Sequence, residues 1–384
     1  MSLYIIVWIG ICLFGLKDFI IKSSYKTKQN EFKILFAILS LMLIFRFGQG
    51  TDYFGYRYNY NALSSMGIDF LIYKSVHGEL GYLLICNLFR WARIPFEMFV
   101  SLTAILEMGC FYRFAKRFQV DTPFALVQAY PTLYMTYFFS SIRQGIVMAV
   151  FLGVLLPLYE EKKYKEYTIL TVLCMLIHGA AAVFFSVLLL TKIKSVRKIR
   201  YICVIAWLMG IFLTSPLARN MVLALGITGI NVYLRSGTSI TVMPILERLV
   251  LTLTVTFFYE SIRKANKMTK IYYDFYRIYM LSMSIYGVFI GYSTVASRLG
   301  GVMRFVEIYL IVYGICALKI SNRLLLSFFF IMLGSLMLLK NIDSYIEQGN
   351  YNDNITALSY KYVSIFNKPL IYKIRNVEEV YLIE

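Results

Sequence analysis

Long apolar runs parted by short basic loops recur from Leu3 to Leu339, and they leave this chain one solvent in which to fold. Apolar residues make up 59% of the 384 and charged residues only 16%, against about a quarter charged in ordinary soluble domains. No single core of this length could hide so much Ile, Leu, Phe and Tyr from water, and the mean hydropathy of +0.66 agrees. A water-soluble globule is excluded, and the bilayer must act as solvent for most of the chain.

Lysine and arginine number 39 against 21 acidic residues, a formal balance of +18. On a soluble protein that excess would point to nucleic acid. Here it has a plainer cause, because cytoplasmic loops collect Lys and Arg and external arginines can hold lipid-linked phosphates. No basic stripe interleaves with a reader motif, so no nucleic-acid partner is expected. Cys12, Cys86, Cys110, Cys174, Cys203 and Cys316 each stand singly in an apolar run, without metal-ligand spacing. The first run, Leu3 to Leu16, lacks a basic leader and a small-residue cleavage site, which predicts a retained helix.

Charge then orders the crossings. Lys22, Lys26, Lys28 and Lys33 predict a cytoplasmic loop after the first helix and an external N-terminus. An external loop over 48–79 leads to Leu80–Trp91, too short for the roughly 20 residues that a span needs and so read as re-entrant or interfacial. Tyr167 to Leu190 has the length of one span, but a single crossing would put Lys192, Lys194, Arg197, Lys198 and Arg200 outside. A hairpin of two short arms with His178 and Gly179 at its apex keeps them inside and is the preferred reading. A second external segment over 219–243 and an external tail over 340–384 complete the picture. The chain is expected to be an all-α polytopic membrane protein, one integral-membrane domain over 1–384, with about twelve transmembrane or membrane-penetrating helices and both termini external.

Ionisable residues at the outer ends of helices are costly in a membrane and are therefore candidates for function. Arg143, in Ser140-Ser141-Ile142-Arg143-Gln144-Gly145, carries a planar guanidinium suited to two phosphate oxygens; a snorkelling interfacial arginine is the alternative. Arg46, Arg298 and Arg304 also fall at external helix ends, against the positive-inside bias. His178 suits a general base, since histidine is the side chain fitted to proton transfer near pH 7, or is a hydrogen-bonded core histidine. Asp52 is a second possible base, an Asx-turn acid, or a partner of Arg46 or Arg57. His77, close to Glu79, reads as a solvated loop position. Tyr53, Tyr56, Tyr58 and Tyr60 suit the headgroup layer, with a minority of tyrosines free to stack on sugar rings. There is no Gly-rich phosphate loop, no pair of Cys or His ligands and no nucleophile elbow, which argues against nucleotide-dependent and zinc chemistry. No metal or cofactor is expected.

Five pieces come in one order over nearly the whole chain: Arg46 with Gly50-Thr51-Asp52-Tyr53 and Tyr56; Glu79 to Tyr82; Ile142-Arg143-Gln144-Gly145 with its apolar arm; His178 after an apolar helix; and Arg298 or Arg304 leading into another helix. Taken together they resemble the EpsG-like branch of the Wzy-type polysaccharide polymerases. The resemblance implies an integral-membrane glycosyltransferase that uses no nucleotide sugar. It would join oligosaccharide repeat units carried on undecaprenyl diphosphate, for exopolysaccharide, capsule or O-antigen, at the outer face of a bacterial cytoplasmic (inner) membrane. It further implies that Arg143, Arg46 and Arg298 or Arg304 hold the diphosphate leaving group, and that His178, or Asp52, takes the acceptor proton. Tyr53, Tyr56, Glu79 and Gln144 would contact acceptor or sugar, and a chain-length regulator or a flippase would be a protein partner. Ala180 departs from the serine that the family often carries two residues after the histidine. The rival readings are a lipid-linked oligosaccharide flippase or other transporter, and an O-antigen-ligase-like transferase; the repeated halves usual in a flippase are not visible.

Overall fold

The computed structural model describes residues 2–21, 23–66, 78–217, 242–352 and 354–375. His77, nearly all of the expected external segment 219–243 and the last nine residues of the expected tail lie outside them. Among the described residues the chain is helical, with two isolated bridges, Arg46 to Ser364 and Tyr351 to Arg375, and no strand. The helices in order are α1 (Leu3–Ile20), α2 (Tyr25–Ile44), α3 (Tyr53–Met66), α4 (Leu80–Trp91), α5 (Phe96–Arg117), α6 (Pro123–Ala129, continued as a π-helix over Tyr130–Phe138) and α7 (Ile142–Glu160). After them come α8 (Tyr164–Ile177), a 3-10 stretch Gly179–Phe184 running into α9 (Phe185–Leu189), α10 (Val196–Leu213), α11 (Val242–Lys264), α12 (Lys270–Val288), α13 (Ser293–Arg304), α14 (Glu307–Ala317), α15 (Ile320–Gln348) and α16 (Pro369–Ile374).

Five of these, α1, α5, α7, α11 and most of α15, are long and apolar enough to cross a bilayer, and α13 with α14, bent by 55°, makes a sixth if counted as one span. That is fewer than the twelve or so expected. The difference lies partly in α2, α10 and α12, which at 20, 18 and 19 residues have spanning length but carry several charges each, and partly in short elements such as α4. The run Tyr167–Leu190 breaks at His178. Beyond the break the chain folds back, because the Tyr167 hydroxyl donates to the Phe184 carbonyl at 2.8 Å, whereas seventeen residues of straight helix would separate them by about 25 Å.

The described residues of two expected loops include helix. Residues 48–79 contain α3, and its buried face is Tyr53, Tyr56, Tyr60 and Leu63, the i, i+3, i+7, i+10 spacing of a helix stripe. Tyr58 falls on the opposite side and is exposed. The tail expected from Lys340 begins only after Gln348, because Ile342 and Tyr345 keep the helical spacing and are buried.

The described chain divides into two compact units, Met1–Pro157 with Leu176–Gly179 and Lys319–Glu384, and Leu158–Met175 with Ala180–Leu318. In the first unit, α5 and α7 cross at Gly153, where a Cβ would lie 2.7 Å from the Cys110 Cα. The π-helical stretch holds Pro131. Two side chains of α15 fasten it: Asn341 donates to the Pro131 carbonyl at 2.5 Å and Tyr345 to the Met135 carbonyl. Buried Gln49 fastens the C-terminal segment: it accepts from the Tyr4 hydroxyl at 2.7 Å and the Val363 amide at 2.8 Å, and donates to the Lys361 carbonyl at 2.7 Å. In the second unit, α10 and α12 meet glycine to glycine at Gly210 and Gly287, and Gly300 of α13 lies against the Tyr286 backbone, where a Cβ would come within 2.9 Å of its Cα.

The crossing at Gly153 yields a paired expectation. Gly153→Ala should lower the thermal midpoint of the detergent-purified protein by an overpacking cost of about 1–3 kcal/mol. Gly109→Ala, one residue from Cys110 but with open space at its Cβ, should leave the midpoint unchanged or raise it, since alanine is the better helix former.

Candidate active site

Three of the residues singled out in the sequence, Glu79, Arg143 and His178, converge in the first unit. Glu79 stands just before α4, Arg143 in the first turn of α7 and His178 at the break after α8. The convergence has a local cause in Gly81. A Cβ there would lie 2.7 Å from Leu176 Cβ, so only glycine lets the start of α4 approach the last turn of α8 closely enough to set Glu79 beside His178.

Glu79 divides its two oxygens. Oε1 meets His178 Nδ1 at 3.1 Å and accepts the Gly179 amide at 3.0 Å, while Oε2 pairs with Arg143 Nη1. Burial alone would raise the carboxyl's pKa, but the hydrogen bonds from His178 and Gly179 and the Arg143 charge outweigh it and hold the group at about 2. A carboxylate in that state accepts at Oε1, so His178 Nδ1 is the donor and Nε2 faces away from Glu79. Nε2 is shielded and has no hydrogen-bond partner among the described residues, and the same holds for Arg143 Nε. The Arg143 guanidinium lies over the rings of Tyr56 and Tyr82, with its carbon 5.7 and 5.6 Å from their centroids. Arginine at a helix N-terminus opposes the helix dipole, and Glu79 with the two ring faces offsets that.

The other candidates are placed as follows. Gly50, at φ +94°, packs where a Cβ would meet the Phe139–Ser140 backbone, and the Thr51 amide donates to Ser140 Oγ at 2.8 Å. This sets Asp52 next to the start of α7, with Thr51 Oγ1 at 3.1 Å and Ser141 Oγ at 3.5 Å from its oxygens. The Asp52 carbonyl accepts from the Tyr56 amide and so opens α3. Arg46 is 2% exposed and donates to the Phe138 carbonyl at 2.6 Å, its guanidinium over the Phe139 ring; it holds the end of the π-helix. Tyr53 packs edge-on among Phe47, Phe54 and Phe96. Gln144 is buried in the first turn of α7.

Arg298 and Arg304 belong to the second unit, and they differ. Arg298 is exposed. Arg304 is buried and meets two carboxylates, Glu307 Oε1 at 2.6 Å and Glu247 Oε1 at 2.7 Å, while Arg248 joins Glu247 at 2.8 Å. Two arginines and two glutamates form a charge-balanced network that the sequence reading did not assemble, since Glu247 and Arg248 sit in an apolar helix next to the segment expected to be external. A further buried acid, Glu107 of α5, was also missed. It lies against Gly145, two residues beyond Arg143, and neither of its oxygens has a hydrogen-bond partner among the described residues.

Helices of spanning length define a polytopic membrane protein, and its first unit holds a half-buried cluster of one carboxylate, one guanidinium and one imidazole. The model of the EpsG family matches residues 31–362, and the chain belongs to that family of EpsG-like polysaccharide polymerases. A role in polysaccharide biosynthesis of the polymerase type follows from that membership. Neither the curated proteins nor the solved structures contain a match to the chain.

Glu79→Gln should destabilise the protein at pH 7 by about 2 kcal/mol, the scale of a charge-assisted hydrogen bond. The sign of the pH dependence follows from the lowered pKa. The wild-type advantage should be full above about pH 4.5 and shrink as pH falls toward about 2, as read by thermal melts of both proteins over that range.

Proposed function

We propose that the Glu79–Arg143–His178 cluster is the catalytic centre of a polymerase that joins oligosaccharide repeat units carried on undecaprenyl diphosphate. The observation that carries this reading is the division of Glu79 between an arginine and a histidine, which gives one site both a cation for a leaving phosphate and an oriented base for an attacking hydroxyl. The acceptor sugar O–H gives its proton to His178 Nε2. Its oxygen forms the new bond to the anomeric carbon of the donor, and the carbon–oxygen bond to the diphosphate breaks with the electron pair leaving on that oxygen. Arg143 stabilises the charge that develops there, and a single displacement inverts the anomeric centre. Glu79 does not take the proton; it fixes the imidazole tautomer and stabilises the imidazolium, as the acid of a Ser-His-Asp triad does.

The donor set supports an arginine-based, metal-independent leaving-group site, since a guanidinium and an imidazole stand where a divalent ion would need clustered carboxylates. In the second unit, Arg298 or Arg304 would add a further cation for the diphosphate, Arg298 from an exposed position and Arg304 from a buried one. The membrane in this reading is the bacterial cytoplasmic membrane, with the centre facing the periplasm or exterior. The topology of about twelve membrane-penetrating helices with both termini external belongs to the same proposal. Gly55→Cys, at an exposed position with room for a side chain, should label with an impermeant thiol reagent from outside, and Thr27→Cys should not.

Deletion of the gene, followed by analysis of lipid-linked glycans, tests the reaction class. Single repeat units should accumulate on the outer side, and their retention inside would indicate a flippase. With purified protein and lipid-linked repeats, His178→Asn should slow chain growth by about 10²–10⁴-fold, the usual contribution of a general base. Arg143→Lys should lose most of the activity despite keeping the charge. Polymerisation should survive excess EDTA, and a strict need for Mg²⁺ or Mn²⁺ would refute the arginine-based account.

A further inference from the structure

The second unit holds a cleft of about 340 Å³ between α10, α11 and α12. Its floor is Cys203 and Met280, both buried, and its rims are Val204 and Leu208 on one side and Leu249 and Leu253 on the other. Val204, Leu208 and Leu253 are 58%, 62% and 68% exposed, so the cleft opens sideways from the helices. Its polar linings are already satisfied: Thr252 donates to the Arg248 carbonyl at 2.7 Å, and Thr256 pairs with the Tyr276 hydroxyl at 3.1 Å.

One end is different. Arg200 closes it, donating through Nε to the Tyr276 hydroxyl at 2.8 Å and through Nη1 to Glu260 at 2.6 Å. Its Nη2 has no hydrogen-bond partner among the described residues. Glu260 is shared with Arg263 at 2.7 Å, so a single carboxylate faces two guanidinium groups and the local charge stays positive. Arg197 and Lys198 stand exposed in the same first turns of α10, and Lys264 ends α11. Three cations at the N-terminal end of α10 also oppose its dipole, which itself favours an anion there. The cleft is therefore an apolar slot with a basic rim, within helices of membrane-spanning length.

We infer that this cleft is a binding site for one anionic glycerophospholipid, its phosphate held at the Arg200 end and one acyl chain laid between α10 and α11 toward Trp207 and Leu208. From Arg200 to Leu208 the slot runs about 12 Å at 1.5 Å per residue, with an apolar lining from Cys203 to Met280 and its cations at one end only, the arrangement that an acyl chain joined to an anionic headgroup matches. The charge excess selects the headgroup, since juxtamembrane Lys and Arg clusters attract anionic lipid. The site lies wholly in the second unit and is separate from the Glu79 cluster.

Trp207 lines the slot and is a native reporter for it. Full-length protein in mixed-lipid nanodiscs would be titrated with phosphatidylglycerol or phosphatidylcholine brominated along the acyl chains, with wild type compared to Trp207→Phe to isolate the signal from the three tryptophans. Quenching of the Trp207 component should reach half-maximum at a mole fraction at least about fivefold lower for phosphatidylglycerol, and Arg200→Gln should remove that preference. Leu253→Trp, which fills the slot, should weaken the retention of phosphatidylglycerol seen by native mass spectrometry. Equal quenching by the two lipids in the wild type would overturn the site. Displacement of brominated phosphatidylglycerol by an equal amount of undecaprenyl phosphate, or a lipid-independent dimer that shields Trp207, would overturn the assignment to a glycerophospholipid.

Discussion

The placement of Arg143 depends on Glu79. A guanidinium largely removed from water at the start of a helix has two penalties, lost hydration and an unfavourable helix dipole, and it stays there because a carboxylate and two aromatic faces are brought to it from other elements. The same carboxylate turns His178 by its Nδ1 and caps the Gly179 amide. Three segments that share no sequence neighbourhood are thus tied through three contacts of one side chain. Removing that side chain would leave a half-buried cation, a free-spinning imidazole and an uncapped amide together.

The helices that hold these groups are fixed by devices suited to an apolar solvent. Glycines at the crossings bring backbones into contact, which matters where lipid gives little hydrophobic drive for helix association. Asn341 and Tyr345 donate to carbonyls of the π-helical stretch, which ties α15 to it through hydrogen bonds that do not depend on water. The second unit follows the same rule with charge: Arg304 and Arg248 are buried only in company with Glu247 and Glu307.

The sequence disclosed the solvent, the helical class, the short α4 to its boundaries, the break at His178 and the three members of the cluster. It did not disclose that Glu79 joins the other two, because 64 and 99 residues separate it from Arg143 and His178 and no local pattern encodes a pairing at such range. The one local signal was Gly81, whose meaning depends on Leu176 lying opposite. Helix α3 was legible in principle: Tyr53, Tyr56, Tyr60 and Leu63 repeat with helical spacing, but their tyrosine content and the neighbouring glycines suggested a headgroup loop. Arg46 and Arg304 looked equivalent to Arg143 as isolated arginines at helix ends. Their burial against the Phe138 carbonyl and against two glutamates is a tertiary fact, and it separates arginines that hold structure from one held by structure.

The account stands on Glu79 acting through His178 in glycosyl transfer, and a double-mutant cycle on polymerisation by the purified protein tests that most directly. Chain-growth rates of Glu79→Gln, His178→Asn and the double variant would be compared with wild type, each checked for insertion and melting. If the carboxylate works by orienting the imidazole, the double variant should be about as slow as His178→Asn alone, since residues that act as a unit are far from additive. Losses that multiply would show that the two residues act independently and would contradict the central claim.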